Sequence, residues 1–228
     1  MSTTLSLDHR TLVPRKGDGP YPTLIALHGR GSDEGDLLGL APYLDERLLW
    51  ISPRAPLELP PGHEWYRLVG IGAPVEPTFA NAMKRVAQFI DEALAAYPVD
   101  RQRIFLFGFS QGGMMSYAHA LTRPGITRGV IIHSSYLPLP SIQLAGRVDL
   151  EGVRGKPFLV IHGQQDPLIP VANGREARDW LRETGAETGY HEFPMGHTVS
   201  EHSIAAMNAW LAPHLGETSP DKPTSEQP

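Results

Sequence analysis

The chain has 228 residues, of which 41% are hydrophobic and 20% are charged, and its formal net charge is −5 at pH 7. This length is enough for one domain with a full hydrophobic core, and the mild acidity gives no electrostatic reason to expect a nucleic-acid partner. Because the sequence contains no cysteine, disulfides, thiolate metal sites and a cysteine nucleophile are excluded.

Apolar runs alternate with amphipathic stretches along the chain. The first part of the chain predicts a strand at 23–28, a helix at 33–45 and a strand at 48–52, followed by a long loop rich in proline and glycine at 53–78. The middle part predicts a helix at 79–97, a strand at 104–107 with a helix shortly after it, and a strand at 129–134. The last part predicts a strand at 158–162, a helix at 171–182, a strand at 188–193 and a helix at 200–215. This alternation predicts an α/β domain with a mostly parallel central sheet flanked by helices.

The two ends of the chain lead to separate expectations. We expect residues 1–215 to form a single domain and residues 216–228, rich in Pro, Ser, Thr, Asp and Glu, to be a disordered tail. Residues 1–13 lack a basic stretch followed by an apolar run, and no apolar segment approaches the roughly 18 residues of a transmembrane helix. We therefore expect a cytoplasmic protein without stable membrane insertion.

The motif Gly-Phe-Ser-Gln-Gly-Gly at residues 108–113 is the most informative feature of the sequence. It follows the apolar strand at 104–107 and precedes a predicted helix, which is the arrangement of a nucleophile elbow. Glycines two positions before and after Ser110 are expected because larger side chains would collide at the tight crossing between strand and helix. The motif therefore predicts Ser110 as a nucleophile that attacks an acyl carbon.

Two downstream residues complete a catalytic triad in the order Ser, acid, His. Asp166 follows the strand at 158–162, and His197 lies between the last predicted strand and the last predicted helix. A serine hydroxyl needs an adjacent base, and that base needs an orienting group. We therefore expect His197 to accept the proton of Ser110 and Asp166 to hold the imidazole tautomer.

The tetrahedral oxyanion also needs hydrogen-bond donors. We expect these to be the backbone N–H of Gln111, which follows the nucleophile, and that of Arg30, in the loop His-Gly-Arg-Gly at residues 28–31. Because only the backbone of Gln111 is used in this scheme, its replacement by alanine is expected to leave considerable activity.

Taken together, the motifs make the chain resemble the phospholipase/carboxylesterase family of α/β-hydrolases, which includes the acyl-protein thioesterases. The resemblance spans roughly residues 20–213 and depends on six motifs, which are His-Gly-x-Gly, Pro-Arg-Ala-Pro ending at Pro56, Trp65-Tyr66, the elbow, His-Gly-x-x-Asp-Pro-Leu-Ile-Pro ending at Pro170, and Gly-His197. It implies an α/β-hydrolase fold without a large cap domain, and hydrolysis of carboxylic esters or thioesters with no cofactor or metal.

This sequence departs from the family pattern at two positions near the expected mouth of the site. Many relatives carry an apolar residue in place of Arg30, and an Asp is common in place of Arg67. Both changes add positive charge, which favours simple ester hydrolysis over deacylation of long-chain acyl proteins.

Trp65 and Leu168 are the strongest candidates for the substrate-binding pocket, although apolar residues are more often core than ligand contacts. His133 ends a strand near the site and either lines it or packs as a core histidine, whereas His28 and His162 are expected to be structural. The histidines lack a His-Glu-x-x-His pattern, so no catalytic metal is expected.

The sequence therefore favours a serine carboxylesterase that acts on short- to medium-chain esters through an acyl-enzyme. An acyl thioesterase or lysophospholipase for longer chains uses the same triad, and only the length of the pocket separates the two. A non-enzymatic scaffold is disfavoured because all three triad candidates are present. The expected partner is a small-molecule ester, and a homodimer is left open.

Overall fold

The computed structural model describes residues 5–70 and 72–216. A seven-stranded sheet crosses the molecule, and its strands are β1 (His9–Leu12), β2 (Tyr21–Leu27), β3 (Leu49–Pro53), β4 (Val99–Phe109), β5 (Gly129–His133), β6 (Pro157–Gly163) and β7 (Glu187–Phe193). Their spatial order is β1-β3-β2-β4-β5-β6-β7. Only the edge strand β1 is antiparallel to its neighbour, so the predicted mostly parallel sheet is confirmed.

Helices cover both faces of this sheet. They are α1 (Glu76–Ala96), α2 (Gln111–Thr122), α3 (Leu139–Ala145), α4 (Leu150–Val153), α5 (Val171–Glu183) and α6 (Glu201–Leu215), with a 3₁₀ helix at Leu37–Tyr43. None of the helices within the described residues is long and apolar enough to cross a lipid bilayer.

Successive side chains of the buried strands point to opposite faces of the sheet, which divides the core into two layers. In β2, Ile25 and Leu27 pack with α1 and α2, while Leu24 and Ala26 pack with α6 and the 3₁₀ helix on the other face. All four side chains are fully buried. A strand covered on both faces reads as a continuous apolar run, which explains why the central strands could be predicted.

The loop predicted at 53–78 is more ordered than expected. It contains two short hairpins, Leu57–Leu59 with Gly62–Glu64 and Leu68–Gly70 with Ala73–Pro74. Helix α1 begins at Glu76 rather than at residue 79, because proline is tolerated in the first helical turn, where no intrahelical N–H bond is required.

Four further elements differ from the prediction. The helix predicted at 33–45 is a short 3₁₀ helix with Pro42 inside it, and α3 and α4 were not predicted. Strand β1 was also missed, because its residues are only partly buried and do not form an apolar run. Apart from Gly216, the predicted tail lies outside the described residues.

The carboxyl edge of the parallel strands assembles the candidate site. Ser110 follows β4, Asp166 follows β6, His197 follows β7, and the His-Gly-Arg-Gly loop follows β2. Ligands of open α/β sheets bind at this edge, so the sheet brings together residues that are far apart in sequence.

Candidate active site

Ser110 lies at a strained turn between β4 and α2. Its φ is 52° and its ψ is −119°, outside the regions that L-residues prefer. The turn is held by the neighbouring backbone, since the Ser110 N–H donates to the carbonyl of His133 at 2.9 Å and the Gly113 N–H donates to the carbonyl of Ser110 at 2.9 Å. Strain of this kind persists only where the surrounding structure fixes it, as at a nucleophile elbow.

The flanking glycines are required by close packing. A Cβ on Gly108 would overlap the carbonyl oxygen of Gly112 and the hydroxyl of Ser116, and a Cβ on Gly112 would overlap the carbonyl oxygen of Leu27. Helix α2 therefore crosses β2 and β4 at backbone contact distance. This is the physical reason for the spacing of the glycines in the motif.

Ser110, His197 and Asp166 form a continuous hydrogen-bonded row. The distance from His197 Nε2 to Ser110 Oγ is 2.9 Å, and that from His197 Nδ1 to Asp166 Oδ2 is 2.7 Å. A carboxylate only accepts hydrogen bonds, so Nδ1 carries the proton and the Nε2 lone pair faces the serine hydroxyl. The structure thus places the three predicted residues in the geometry of a nucleophile, a base and an orienting acid.

The carboxylate of Asp166 is fixed by its own loop. Its side chain is fully buried, and Oδ1 accepts hydrogen bonds from the backbone N–H groups of Leu168 at 2.9 Å and Ile169 at 2.8 Å. His162 holds the same loop, because its Nε2 lies 2.8 Å from the carbonyl oxygen of Ile169. These contacts leave Oδ2 free to orient His197.

A cavity of about 360 Å³ opens beside Ser110 and His197. Its wall is mainly apolar and consists of Gly29, Arg30, Leu68, Gly72, Phe109, Gln111, Met114, Tyr136, Leu168 and Ile169, together with Ser110 and His197. Leu168 is half exposed and lies at the rim, so the structure brings this predicted pocket residue to the cavity.

Arg30 and Gln111 both line the cavity beside Ser110. Across residues 5–70 and 72–216, neither backbone N–H donates to a protein acceptor. The adjacent Gly31 N–H, in contrast, donates to the carbonyl of His63 at 2.7 Å. Two unpaired N–H groups next to the serine are what an oxyanion hole requires.

The buried ring of His28 supports the His-Gly-Arg-Gly loop at residues 28–31. Its Nε2 accepts the backbone N–H of Ala55 at 3.0 Å, so Nδ1 carries the proton and donates to the carbonyl of Gly29 at 2.7 Å. Burial lowers the pKa of His28, which favours the neutral ring that this pair of bonds needs. His28 therefore positions the loop, as its expected structural role implies.

Trp65 is not at the cavity wall, contrary to the sequence-based expectation. Its side chain is fully buried, and the indole N–H donates to the carbonyl of His28 at 2.9 Å. A large aromatic residue after a loop gives the same sequence pattern whether its side chain lines a pocket or packs behind it, so the sequence could not separate the two roles. Through this hydrogen bond Trp65 supports the backbone of the His-Gly-Arg-Gly loop at residues 28–31.

The side chain of Gln111 has a role that the sequence did not reveal. It is buried, its Oε1 accepts the backbone N–H of Trp65 at 2.7 Å, and its Nε2 donates to the carbonyl of Tyr66 at 2.7 Å. Gln111 therefore fastens the segment after the first hairpin to the start of α2. No local sequence signal could have indicated this pairing.

His133 packs in the interior instead of lining the cavity. It is fully buried, its ring centroid lies 5.6 Å from that of Phe109, and its Nδ1 lies 3.0 Å from the hydroxyl of Ser134. Burial lowers the pKa of His133 to about 3, so the ring is neutral near pH 7. Among the described residues, no three His, Asp or Glu side chains converge on a metal site.

Comparison with known proteins identifies the family to which the chain belongs. The sequence pattern of the phospholipase/carboxylesterase family matches residues 9–215. The chain belongs to this family. It is therefore a serine hydrolase with the α/β-hydrolase fold, as the resemblance in the sequence implies.

Individual relatives agree with this assignment. Acyl-protein thioesterase 1 of Mycosarcoma maydis is 27% identical, with 89% of this chain and 95% of the relative covered. Carboxylesterase SOBER1 of Arabidopsis thaliana is 26% identical over 65% of each chain. The crystal structure of a carboxylesterase from Mesorhizobium loti superposes with a TM-score of 0.82, covering 92% of this chain and 96% of the other at 22% identity, and supports the fold.

Proposed function

We propose that the protein is a carboxylesterase that hydrolyses short- to medium-chain carboxylic esters through a Ser110–His197–Asp166 triad. The observation that carries this proposal is the unbroken row of hydrogen bonds at 2.9 and 2.7 Å beside an open cavity. Adjacent to it are the backbone N–H groups of Arg30 and Gln111, which have no acceptor in the part of the chain that the structure describes.

Acylation begins when Ser110 Oγ attacks the ester carbonyl and His197 Nε2 accepts the hydroxyl proton. The carbonyl π electrons move onto the oxygen, which the N–H groups of Arg30 and Gln111 stabilise, and Asp166 stabilises the imidazolium. Collapse of this intermediate breaks the bond to the alcohol, which leaves with the proton from His197. An acyl-enzyme on Ser110 remains.

Deacylation repeats these steps with water. His197 takes a proton from the water as its oxygen attacks the acyl carbon, and the second tetrahedral intermediate collapses to release the carboxylic acid. Ser110 recovers its proton from His197. Both half-reactions use the same base and the same two oxyanion donors, and water is the second substrate.

The size of the cavity supports the preference for short and medium chains. Its volume of about 360 Å³ lies near the low end of the roughly 300–1,000 Å³ that is usual for ligand pockets. The apolar side chains of Leu68, Met114 and Ile169 suit an alkyl chain. A long chain would have to extend past the rim at Leu168 into solvent.

A second candidate is an acyl thioesterase or lysophospholipase that acts on longer chains. It is supported by the similarity to acyl-protein thioesterase 1 and by the half-exposed rim residue Leu168. Its chemistry would proceed through the same triad, so the acyl-length profile separates the two candidates.

The test is hydrolysis of p-nitrophenyl esters with two to sixteen acyl carbons, with Ser110→Ala as the control. We expect activity that peaks at short or medium chains and is lost in the variant. A peak at long chains would transfer the assignment to the second candidate. Wild-type protein that is folded but inactive at every length, or an undiminished Ser110→Ala variant, would contradict the proposal.

A further inference from the structure

Two arginines, of which Arg30 lines the cavity, share one buried carboxylate. Arg30 Nε lies 2.7 Å from Glu64 Oε2, and an Nη atom of Arg67 lies 2.5 Å from Glu64 Oε1. The carboxylate of Glu64 is fully buried, whereas the side chains of Arg30 and Arg67 are 45% and 48% exposed. The three side chains therefore present one net positive charge to solvent.

Neutralising Glu64 does not require two arginines. One guanidinium can hold both oxygens of a carboxylate in a bidentate pair, which would satisfy a buried charge. Here each arginine instead uses a single N–H on Glu64. Within residues 5–70 and 72–216, the other side-chain N–H groups of Arg30 and Arg67 have no protein acceptor.

Arg30 connects the cluster to the cavity, and Arg67 joins it through the shared carboxylate of Glu64. Arg30 lines the cavity and also supplies the backbone N–H proposed for the oxyanion hole, while Leu68, the neighbour of Arg67, forms part of the wall. Among the lining residues that the structure describes, Arg30 is the one with a permanent charge. A substrate in the cavity thus meets the positive charge of Arg30 in a wall that otherwise carries no permanent charge.

We propose that the Arg30–Glu64–Arg67 cluster binds a carboxylate on the substrate, so that the preferred esters are monoanionic. This inference rests on the proposed carboxylesterase function and adds the class of ester to it. The rigid fork of a guanidinium matches the geometry of a carboxylate, and the single net charge of the cluster matches one anionic group. Glu64 fixes both side chains before the substrate arrives, which reduces the entropy lost on binding.

The test compares esters that differ in charge but hardly in size. One pair is monomethyl adipate, which is anionic, and the methyl ester of the half-amide of adipic acid, which is neutral. A second pair places the charge on the alcohol side and consists of O-acetylglycolate, which is anionic, and O-acetylglycolamide, which is neutral. For wild-type protein we expect the anionic member of at least one pair to have a kcat/KM about tenfold higher, as one charge-assisted hydrogen bond provides. This ratio should fall as salt is added, since the arginines are half exposed.

Variants connect the preference to the cluster. Arg67→Gln should lower the ratio of anionic to neutral kcat/KM severalfold, and Arg67→Lys should have an intermediate effect because it keeps the charge but not the fork. Arg182→Gln is the matched control, because Arg182 is exposed near the end of α5, at the opposite edge of the sheet from the site. It should retain the wild-type ratio.

Two results would overturn the inference. One is a wild-type ratio near one in both pairs, and the other is a preference for the anion that Arg67→Gln and Arg67→Lys leave unchanged. Failure to hydrolyse any neutral or anionic ester would instead contradict the proposed carboxylesterase function. The neutral esters therefore distinguish the two failures.

Discussion

Asp166 uses its two carboxylate oxygens for different tasks. Oδ1 accepts the N–H groups of Leu168 and Ile169 in its own loop, and Oδ2 accepts the Nδ1 proton of His197. The loop fixes the carboxylate, and the carboxylate fixes the tautomer of His197. The proposed triad is thus preorganised by contacts that form on folding, before a substrate is present.

Leu168 provides a test of the pocket at the scale of one side chain. Because it lines the cavity and is half exposed, Leu168→Ala should shift the acyl-length profile towards longer or bulkier esters while changing the free energy of unfolding by less than about 1 kcal/mol. The matched control is Leu150→Ala, which is equally exposed but lies in α4. If both variants keep the wild-type profile over the p-nitrophenyl ester series, Leu168 is not a pocket residue.

Gln111 is predicted to contribute stability through its side chain and catalysis through its backbone. Gln111→Ala leaves the Trp65 N–H and the Tyr66 carbonyl without partners, at a cost of about 1–3 kcal/mol for each buried group. Considerable activity should remain in the folded variant, because the backbone N–H is retained. The measurements are urea unfolding and kcat/KM.

Gln111→Met serves as the companion variant because it removes both hydrogen bonds while nearly preserving volume. It separates the loss of hydrogen bonds from the creation of a cavity. An unfolding free energy within about 0.5 kcal/mol of wild type for both variants would refute the structural role. Complete loss of activity in a folded variant would show that the side chain takes part in catalysis.

At the scale of elements, the hairpin Leu57–Leu59/Gly62–Glu64 supports the loop that contains Arg30, the proposed oxyanion donor. His63 accepts the Gly31 N–H at 2.7 Å and donates its own N–H to the carbonyl of Ser32 at 2.8 Å. Glu64 adds its ion pair with Arg30. The hairpin thus fixes the backbone that directly follows Arg30, the proposed oxyanion donor.

Gly62→Ala should therefore damage catalysis from a distance. A Cβ at this position would overlap the carbonyl oxygens of Gly31 and Ser32, so the hairpin and the loop would have to separate. Displacement of one oxyanion donor corresponds to a loss of about 10²-fold in kcat, with a smaller change in KM. Steady-state kinetics on the folded variant measures this.

The control for this experiment is Gly39→Ala, in the 3₁₀ helix, where an added Cβ has open space. It should keep the wild-type kcat. A Gly62→Ala variant that is folded and retains kcat within about twofold would show that the hairpin does not position the oxyanion donor.

For the whole molecule, the features that the sequence predicts are the buried central strands and the residues that follow them. The central strands are long apolar runs because both of their faces are buried. Ser110, Asp166 and His197 could be predicted to meet because each follows a parallel strand, and parallel strands end at one edge of the sheet. The sequence does not predict β1, which is an edge strand with partly exposed residues. Nor does it predict that Glu64 pairs with Arg30, since that contact depends on how a hairpin folds back on a distant loop.

The stability of the molecule should depend on pH through buried histidines. Burial lowers the pKa of His119 to about 3, and neither ring nitrogen has a hydrogen-bond partner within the described part of the chain. An unfolded histidine titrates near 6.5, so between these values the unfolded state binds the extra proton. The free energy of unfolding therefore falls as the pH drops from about 6.5 towards 3, by up to about 1.4 kcal/mol per pH unit for this group.

His119→Leu should make this pH dependence shallower and should leave stability near pH 7 equal or higher, because an unpaired buried ring becomes an apolar side chain. Chemical denaturation at several pH values between 4 and 7 measures the slope. The surface residue His202, replaced by leucine, controls for the substitution itself. An unchanged slope in His119→Leu would contradict the account of His119 as a neutral buried group.

The central claim is that Ser110 becomes acylated, and rapid-quench mass spectrometry of the protein mixed with p-nitrophenyl butyrate tests it most directly. We predict a butyryl adduct on the peptide that contains Ser110, formed with a burst of p-nitrophenol. The adduct should be absent from Ser110→Ala, and it should form far more slowly in His197→Ala. An adduct on another residue, or hydrolysis that continues undiminished in Ser110→Ala, would contradict the assignment.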